Sequence, residues 1–167
     1  MTILRMYYTP EDQQRPTHYR EAWWEEDTNE FVLHHGKVGE SGTTSVENVT
    51  DSTEADLLLA SFAEQNGADN YVEVDDIAQE AFTIVIRYKG ATPTQAEQTN
   101  AEKFAREYVA LLAWRGLGDI DEWAENPDRS AFVYQISTVH RTKAAKYATE
   151  ALKKTDFRAD RMKIERD

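Results

Sequence analysis

The chain has 167 residues, a hydrophobic fraction of 40% and a formal net charge of −12. This size and composition suffice for one ordinary domain or two small ones, and they exclude a mostly disordered chain. The absence of cysteine excludes disulfides, thiolate metal sites and a cysteine nucleophile. Because the chain lacks a signal-peptide core and any run of about eighteen apolar residues, we expect a cytoplasmic protein with no membrane partner.

The charge is divided unevenly along the chain. Residues 1–80 carry 18 acidic and 4 basic side chains, a formal charge of −14, whereas residues 81–167 carry 13 acidic and 15 basic side chains, a formal charge of +2. An acidic half repels nucleic-acid phosphate at long range. The distribution therefore disfavours nucleic acid as a partner and indicates an acidic, solvated surface on the first half.

The first half predicts an antiparallel sheet. Its strand-like runs lie at residues 3–8, 18–25, 30–37, 43–49 and 71–74. The turn at 26–29 predicts a hairpin, and the alternation of side chains places Ala22 and Trp24 on one face with Phe31 and Leu33 opposite them.

A helix follows the fourth strand. Asp51 or Ser52 can accept the unpaired N–H groups of its first turn, and we expect Gly67 to end it. Its apolar residues recur at helical spacing and predict a stripe that packs on the sheet. These residues are Ala55, Leu58, Leu59 and Phe62.

The second half has the element order β-α-β-β-α-β, which is typical of the ferredoxin-like fold. Strands are predicted at residues 82–88, 119–124, 131–137 and 161–165, and helices at about 94–114 and 139–154. Thr94 or Thr92 can cap the first of these helices. Pro127, at the second position of its turn, predicts a type I turn between the two middle strands.

These elements predict an α+β protein of two modules. Residues 1–76 form an antiparallel sheet with one helix, and residues 81–167 form a ferredoxin-like sandwich. The change of charge and of element order places the junction between about Asp75 and Ala81.

The most distinctive motif is a loop with three glycines at three-residue spacing, which are Gly36, Gly39 and Gly42. The loop follows an aromatic-rich hairpin and precedes a strand and a helix. In this arrangement residues 17–75 resemble the WGR family, whose pattern is Trp-Gly-Arg, a hydrophobic residue, Gly, two further residues and Gly. The resemblance implies a WGR-like sheet with one helix and a loop surface that grips a nucleic-acid end or a neighbouring domain.

The family's tryptophan and arginine positions are occupied here by His35 and Lys37. Lysine keeps the charge but lacks the bidentate fork of arginine, and histidine offers less stacking area than indole. Glu40 adds a negative charge to the loop. His35, Lys37 and the three glycines are therefore candidate binding residues, and we expect the glycines to serve loop geometry first.

The sequence predicts no catalytic residue, no cofactor and no metal site. The glycine spacing matches neither the phosphate-binding P-loop nor the dinucleotide fingerprint, since both require a helix directly after the glycines. His34 and His35 are adjacent on a predicted strand, so they point to opposite faces, and we expect both at surface or edge positions of the hairpin. The carboxylates around Ile120 and Trp123 indicate a solvated face.

Basic residues are concentrated in the last helix and strand. The candidate binding residues there are Arg141, Lys143, Lys146, Arg161 and Lys163. The aromatic signatures of RNA-binding sheets are absent. We therefore expect this surface to dock an acidic protein surface, within the chain or between copies, rather than nucleic acid.

These observations predict a non-catalytic binding or adaptor protein that acts through contacts with a protein partner or in a homo-oligomer. Two alternatives stay open. The first is a WGR-type module that binds nucleic-acid ends through His35, Lys37 and the late basic residues. The second is an enzyme with an unrecognised carboxylate site.

Overall fold

Alternation of apolar and polar residues produces two separate antiparallel sheets in the computed structural model, which describes residues 2–166. With three helices in these residues, the protein has the α+β fold class that the sequence predicted, and that prediction is confirmed. The chain divides into two units between Ala78 and Gln79.

The first unit contains a five-stranded sheet and one helix. Its elements are β1 (Ile3–Tyr8), β2 (His18–Glu25), β3 (Glu30–Lys37), β4 (Thr43–Asn48), α1 (Ser52–Ala68) and β5 (Val72–Glu73). The strand order is β4-β3-β2-β1-β5. The closing strand is shorter than predicted, because residues 74–76 turn away as a single turn of 3-10 helix.

One face of this sheet packs against α1. Trp24 pairs with Phe31 and Ala22 pairs with Leu33, which confirms the predicted hairpin faces. Ala22 and Phe31 are buried together with Ala55 of the helix. The helix residues packed against this cluster are Leu58, Leu59 and Phe62. The predicted apolar stripe of α1 is thus confirmed.

Helix α1 ends later than predicted. Asp51 caps its start by accepting a hydrogen bond from the backbone N–H of Glu54 (2.9 Å). Gly67 was expected to end the helix but lies inside it, and the last helical residue is Ala68. Asn70 follows in a left-handed conformation with φ 66°. Because asparagine tolerates this conformation, it provides the stop that the prediction assigned to glycine.

The second unit contains a four-stranded sheet and two helices. Its elements are β6 (Glu80–Arg87), α2 (Gln95–Trp114), β7 (Gly118–Asn126), β8 (Ala131–Thr138), α3 (Arg141–Lys153) and β9 (Met162–Arg166). The strand order is β7-β8-β6-β9, with antiparallel neighbours throughout. This is the β-α-β-β-α-β arrangement that the sequence predicted.

Two buried tyrosines attach the helices of this unit to their neighbours. The hydroxyl of Tyr134, on β8, donates to the carbonyl of Ala101 on α2 (3.0 Å). The hydroxyl of Tyr108, on α2, donates to the carbonyl of Ala144 on α3 (2.8 Å). Burial raises the pKa of both phenols, because it disfavours the charged form.

The turns of the second unit differ in detail from the predictions. Residues Pro127–Arg129 form a turn of 3-10 helix, and Ser130 follows with φ 49°. Helix α3 begins at Arg141 rather than near Val139, because the side chain of His140 caps it. Among residues 2–166, no helix has the length and apolar character that a membrane span requires.

Candidate functional site

The glycine loop connects β3 to β4. Gly39 and Gly42 have φ values of 96° and 65°, which confirms that the loop needs left-handed backbone. A Cβ atom added at Gly42 would lie 2.1 Å from the carbonyl oxygen of His35, and one added at Gly36 would lie 2.8 Å from the Cα atom of Gly42. The glycines therefore let the loop backbone fold closely back on the end of β3.

A buried charged network lies on the sheet face opposite α1. The Nε atom of Arg5 donates to Oε2 of Glu21 (2.7 Å), and Oε1 of Glu21 accepts a hydrogen bond from Nδ1 of His34 (2.6 Å). Only 2% of Glu21 and 1% of His34 are exposed. The expectation that His34 lies at the surface or edge of the hairpin is wrong, because Glu21 is its cross-strand neighbour and pairs with it.

This network also holds the glycine loop. The Nε2 atom of His34 lies 2.5 Å from the carbonyl oxygen of Ser41, and the hydroxyl of Tyr19 donates to the carbonyl of Glu40 (2.7 Å). Both ring nitrogens of His34 thus lie within hydrogen-bond distance of oxygen atoms. The loop is fixed by side chains beneath it, and its carbonyl oxygens are directed inward to them.

His35 and Lys37 lie on the other face of the sheet and are exposed. Arg20 is the cross-strand neighbour of His35, and His18 is that of Lys37. The guanidinium of Arg20 lies 4.2 Å from the ring centre of Tyr71, a cation–π contact. The candidate residues of the loop are therefore divided: the glycines shape the backbone, and His35 and Lys37 are exposed beside His18 and Arg20, of which Arg20 is paired with Asp69 (2.8 Å).

The basic candidates of the second unit do not form one surface. The backbone N–H of Arg141 donates to Glu80 (2.9 Å), and its Nη2 donates to the carbonyl of Ala81 (2.9 Å), both at the start of β6. Arg161 instead binds Glu97 (3.0 Å), and the residue after it pairs with Ile86 at the end of β6. The predicted basic surface is therefore split between opposite ends of the sheet.

The three remaining basic candidates are divided in the same way as Arg141 and Arg161. Lys143 and Lys146 are exposed on α3, the helix that Arg141 begins, and Lys163 is exposed on β9, two residues beyond Arg161. Sequence proximity suggested a single cationic surface because α3 and β9 are consecutive elements. However, α3 lies in the helical layer and β9 lies in the sheet, so their basic residues do not share one surface.

A shallow apolar groove lies between α2 and β7. Its volume is about 490 Å³, and its walls are Ala105, Arg106, Val109 and Ala110 of α2 and residues 120–123 of β7. Trp123 is 36% exposed and stacks on the buried ring of Tyr134, with ring centres 5.3 Å apart and planes inclined by 15°. This stacking holds the indole at the mouth of the groove.

Two carboxylates, Asp121 and Glu122, line this groove, and two others lie elsewhere on β7. Asp121 lies at a β-bulge and accepts a hydrogen bond from the hydroxyl of Ser137, and Glu125 accepts one from Gln98 of α2 (2.7 Å). Asp119 and Glu122 are exposed on the same strand. The sequence correctly placed these carboxylates at the surface but did not reveal the groove. A tryptophan within an otherwise acidic strand was the signal that could have indicated it.

Within residues 2–166, no three histidine, aspartate or glutamate side chains converge in a way that could hold a metal ion. Burial raises the pKa of Tyr7, which lies in the sheet of the first unit, to about 12.

The chain matches no protein-family model and no curated protein. A crystal structure of a Bacteroides fragilis protein is similar over 44% of this chain and 19% of its own length, with 18% sequence identity and a TM-score of 0.37. The match thus spans about a fifth of that protein.

Proposed function

We propose that this protein is a binding module that recognises an extended, basic segment of a partner protein at the outer edge of β7. The observation that carries the proposal is the apolar groove beside this strand, with an exposed and stacked tryptophan at its mouth. Apolar grooves with a polar rim are typical of protein-binding surfaces, and tryptophan is enriched where binding energy is concentrated.

An outer strand offers backbone groups as well as a groove. Strand β7 is an edge strand of its sheet, and among the described residues β8 is its one neighbour there. An extended peptide can add to such an edge through main-chain hydrogen bonds, while every second side chain enters an adjacent pocket. The wall formed by Val109 and Ala110 of α2 is placed to receive these side chains.

The charge of the rim determines the class of partner. Four carboxylates lie on β7, at Asp119, Asp121, Glu122 and Glu125, and Arg106 is the basic residue lining the groove. Complementary charge accelerates encounter and excludes partners of the same sign. A segment that alternates basic and apolar residues satisfies both the rim and the groove.

The experiment uses the full chain and two short peptides, one alternating lysine with valine and one alternating glutamate with valine. We expect the lysine peptide to bind and the glutamate peptide to bind at least about tenfold more weakly, a difference of about 1.4 kcal/mol. Titration followed by NMR of the backbone amides gives both affinity and location. Equal affinity for the two peptides would contradict the proposal.

The variant Ala110→Lys tests the location. Ala110 is exposed on α2, and lysine is a good helix former, so the substitution fills the groove and preserves the helix. We expect binding of the lysine peptide to be lost. Thr99→Lys, at an exposed position of the same helix outside the groove, is the matched control and should bind like the original chain.

A further inference from the structure

A second groove lies at the opposite edge of the same sheet. It has a volume of about 450 Å³ and is formed where β6 ends, β9 begins and the turn before β8 passes. The residues that line it are Val85, Arg87, Arg129, Asp160, Arg161 and Lys163. Four of these six side chains are cationic, in a protein whose net charge is −12.

The guanidinium groups of this groove are held in position by other parts of the unit. The Nη2 atom of Arg87 donates to the carbonyl of Asp160 (2.9 Å), and the Nη2 atom of Arg129 donates to the carboxylate of Glu165 (2.6 Å). Arg161 is held by its contact with Glu97, described above. A guanidinium has five N–H donors, so one such bond orients the group and leaves the others for a ligand.

After ion pairing, the groove has a surplus of two positive charges. Arg129 and Arg161 are each paired with a carboxylate, and Asp160 is paired with Arg158 (3.5 Å), which lies outside the groove. Arg87 and Lys163 make no ion pair of this kind within residues 2–166. Two uncompensated cations beside two oriented guanidinium groups match a ligand with two negative charges.

We propose that this groove binds a phosphate monoester in its dianionic form. Arginine recognises phosphate through paired N–H donors, and lysine adds a compact positive charge. The groove is larger than a phosphate group, so it leaves room for the organic part of the ester. This site is separate from the groove beside β7, because β7 and β9 are the two outer strands of the sheet.

Calorimetric titration of the full chain with inorganic phosphate, phenyl phosphate and a short peptide containing phosphoserine tests this site. We expect both esters to bind more tightly than inorganic phosphate, because only they fill the space of the groove beyond the phosphate group. Binding should be stronger at pH 7.5 than at pH 5.5, since the second pKa of a phosphate ester is about 6. A phosphopeptide that binds far better than phenyl phosphate identifies a modified protein as the source of the ligand, and the reverse identifies a small metabolite.

Two variants locate the site. Lys163→Ala removes a cation at an exposed position, and Arg87→Lys keeps the charge but removes the fork, so we expect each to weaken phenyl phosphate binding by about tenfold or more. Lys153→Ala, an exposed lysine on α3, is the matched control and should bind normally. Unchanged affinity in the first two variants, equal loss in the control, or binding of duplex DNA without binding of either ester would overturn the proposal.

Discussion

Gly36 and Gly42 lie so close across the β3–β4 loop that a methyl group at Gly36 would stand 2.8 Å from the Cα atom of Gly42. At Gly42 the same addition would meet the carbonyl oxygen of His35 at 2.1 Å, and φ is 65°. We therefore predict that Gly42→Ala lowers the free energy of unfolding by more than about 2 kcal/mol. Denaturant unfolding of the purified variant measures this loss.

Gly67→Ala is the matched control for this prediction. Gly67 lies inside α1, and an added Cβ atom there would meet no atom within 4 Å. Alanine is the better helix former, so this variant should gain about 0.5–1 kcal/mol. The account of the loop fails if Gly42→Ala unfolds at the same denaturant concentration as the original chain.

A second prediction concerns the buried network of Arg5, Glu21 and His34. Glu21→Gln removes a buried negative charge that accepts hydrogen bonds from the half-buried Arg5 and the buried His34, and breaking a buried ion pair in this way costs about 3–5 kcal/mol. Glu47→Gln, at an exposed position of β4, should change stability by less than about 0.5 kcal/mol. Thermal unfolding should give a clearly lower melting temperature for Glu21→Gln than for Glu47→Gln. Equal melting temperatures would contradict a stabilising role of this network.

A third prediction follows from Glu97, the third residue of α2, which forms a capping box with the N-cap residue Thr94. Burial by itself would raise the pKa of this carboxyl, but hydrogen bonds from the backbone N–H groups of Thr94 and Lys89 and the charge of Arg161 outweigh burial and lower it. A lowered pKa in the folded state contributes stability above the ordinary glutamate pKa of about 4.3, and this contribution is lost as the pH falls through the folded-state value.

The variant Glu97→Gln tests this linkage. It should be less stable than the original chain at pH 7, and the difference should shrink as the pH falls below about 4. Denaturant unfolding at several pH values gives the comparison. A difference that stays constant between pH 7 and pH 3 would show that the charge of Glu97 does not contribute.

A fourth prediction concerns the boundary between the two units. Residues 75, 76, 78 and 79 are exposed, and the chain divides between Ala78 and Gln79. Exposed connections are the preferred sites of proteolysis. We expect limited digestion with a glutamate-specific protease to release fragments that end at Glu73 or Glu80 and retain their helical or strand circular dichroism. Early cleavage within β2 or α2 would contradict this division.

The sequence was most informative where one physical signal dominated. Alternation along β2 and β3 predicted which side chains of the hairpin share a face, because one face is apolar. It did not reveal that His34 is buried, because a histidine on the opposite face fits the alternation whether that face is exposed or covered. Its burial depends on Glu21, Tyr19 and the carbonyl of Ser41, which come together only when the register and the loop are known.

The end of α1 and the basic surface were missed for related reasons. Gly67 is a weak stop because a helix tolerates an isolated glycine when the following residues provide a cap, as Asn70 does here. Arg141 and Arg161 lie on consecutive elements, but Arg141 is hydrogen-bonded at the start of β6, whereas the residue after Arg161 pairs with Ile86 at its end. Sequence proximity predicts a shared surface only within one element.

The most direct test of the proposed function is amide hydrogen exchange of the full chain with and without the peptide that alternates lysine and valine. If the peptide adds to the edge of its sheet, exchange should slow in β7 (Gly118–Asn126) and in the facing part of α2, and it should be unchanged in β4 and β9. The effect on β7 should disappear in Ala110→Lys. Unchanged exchange in β7, or slowing confined to β4 or β9, would contradict recognition at this edge.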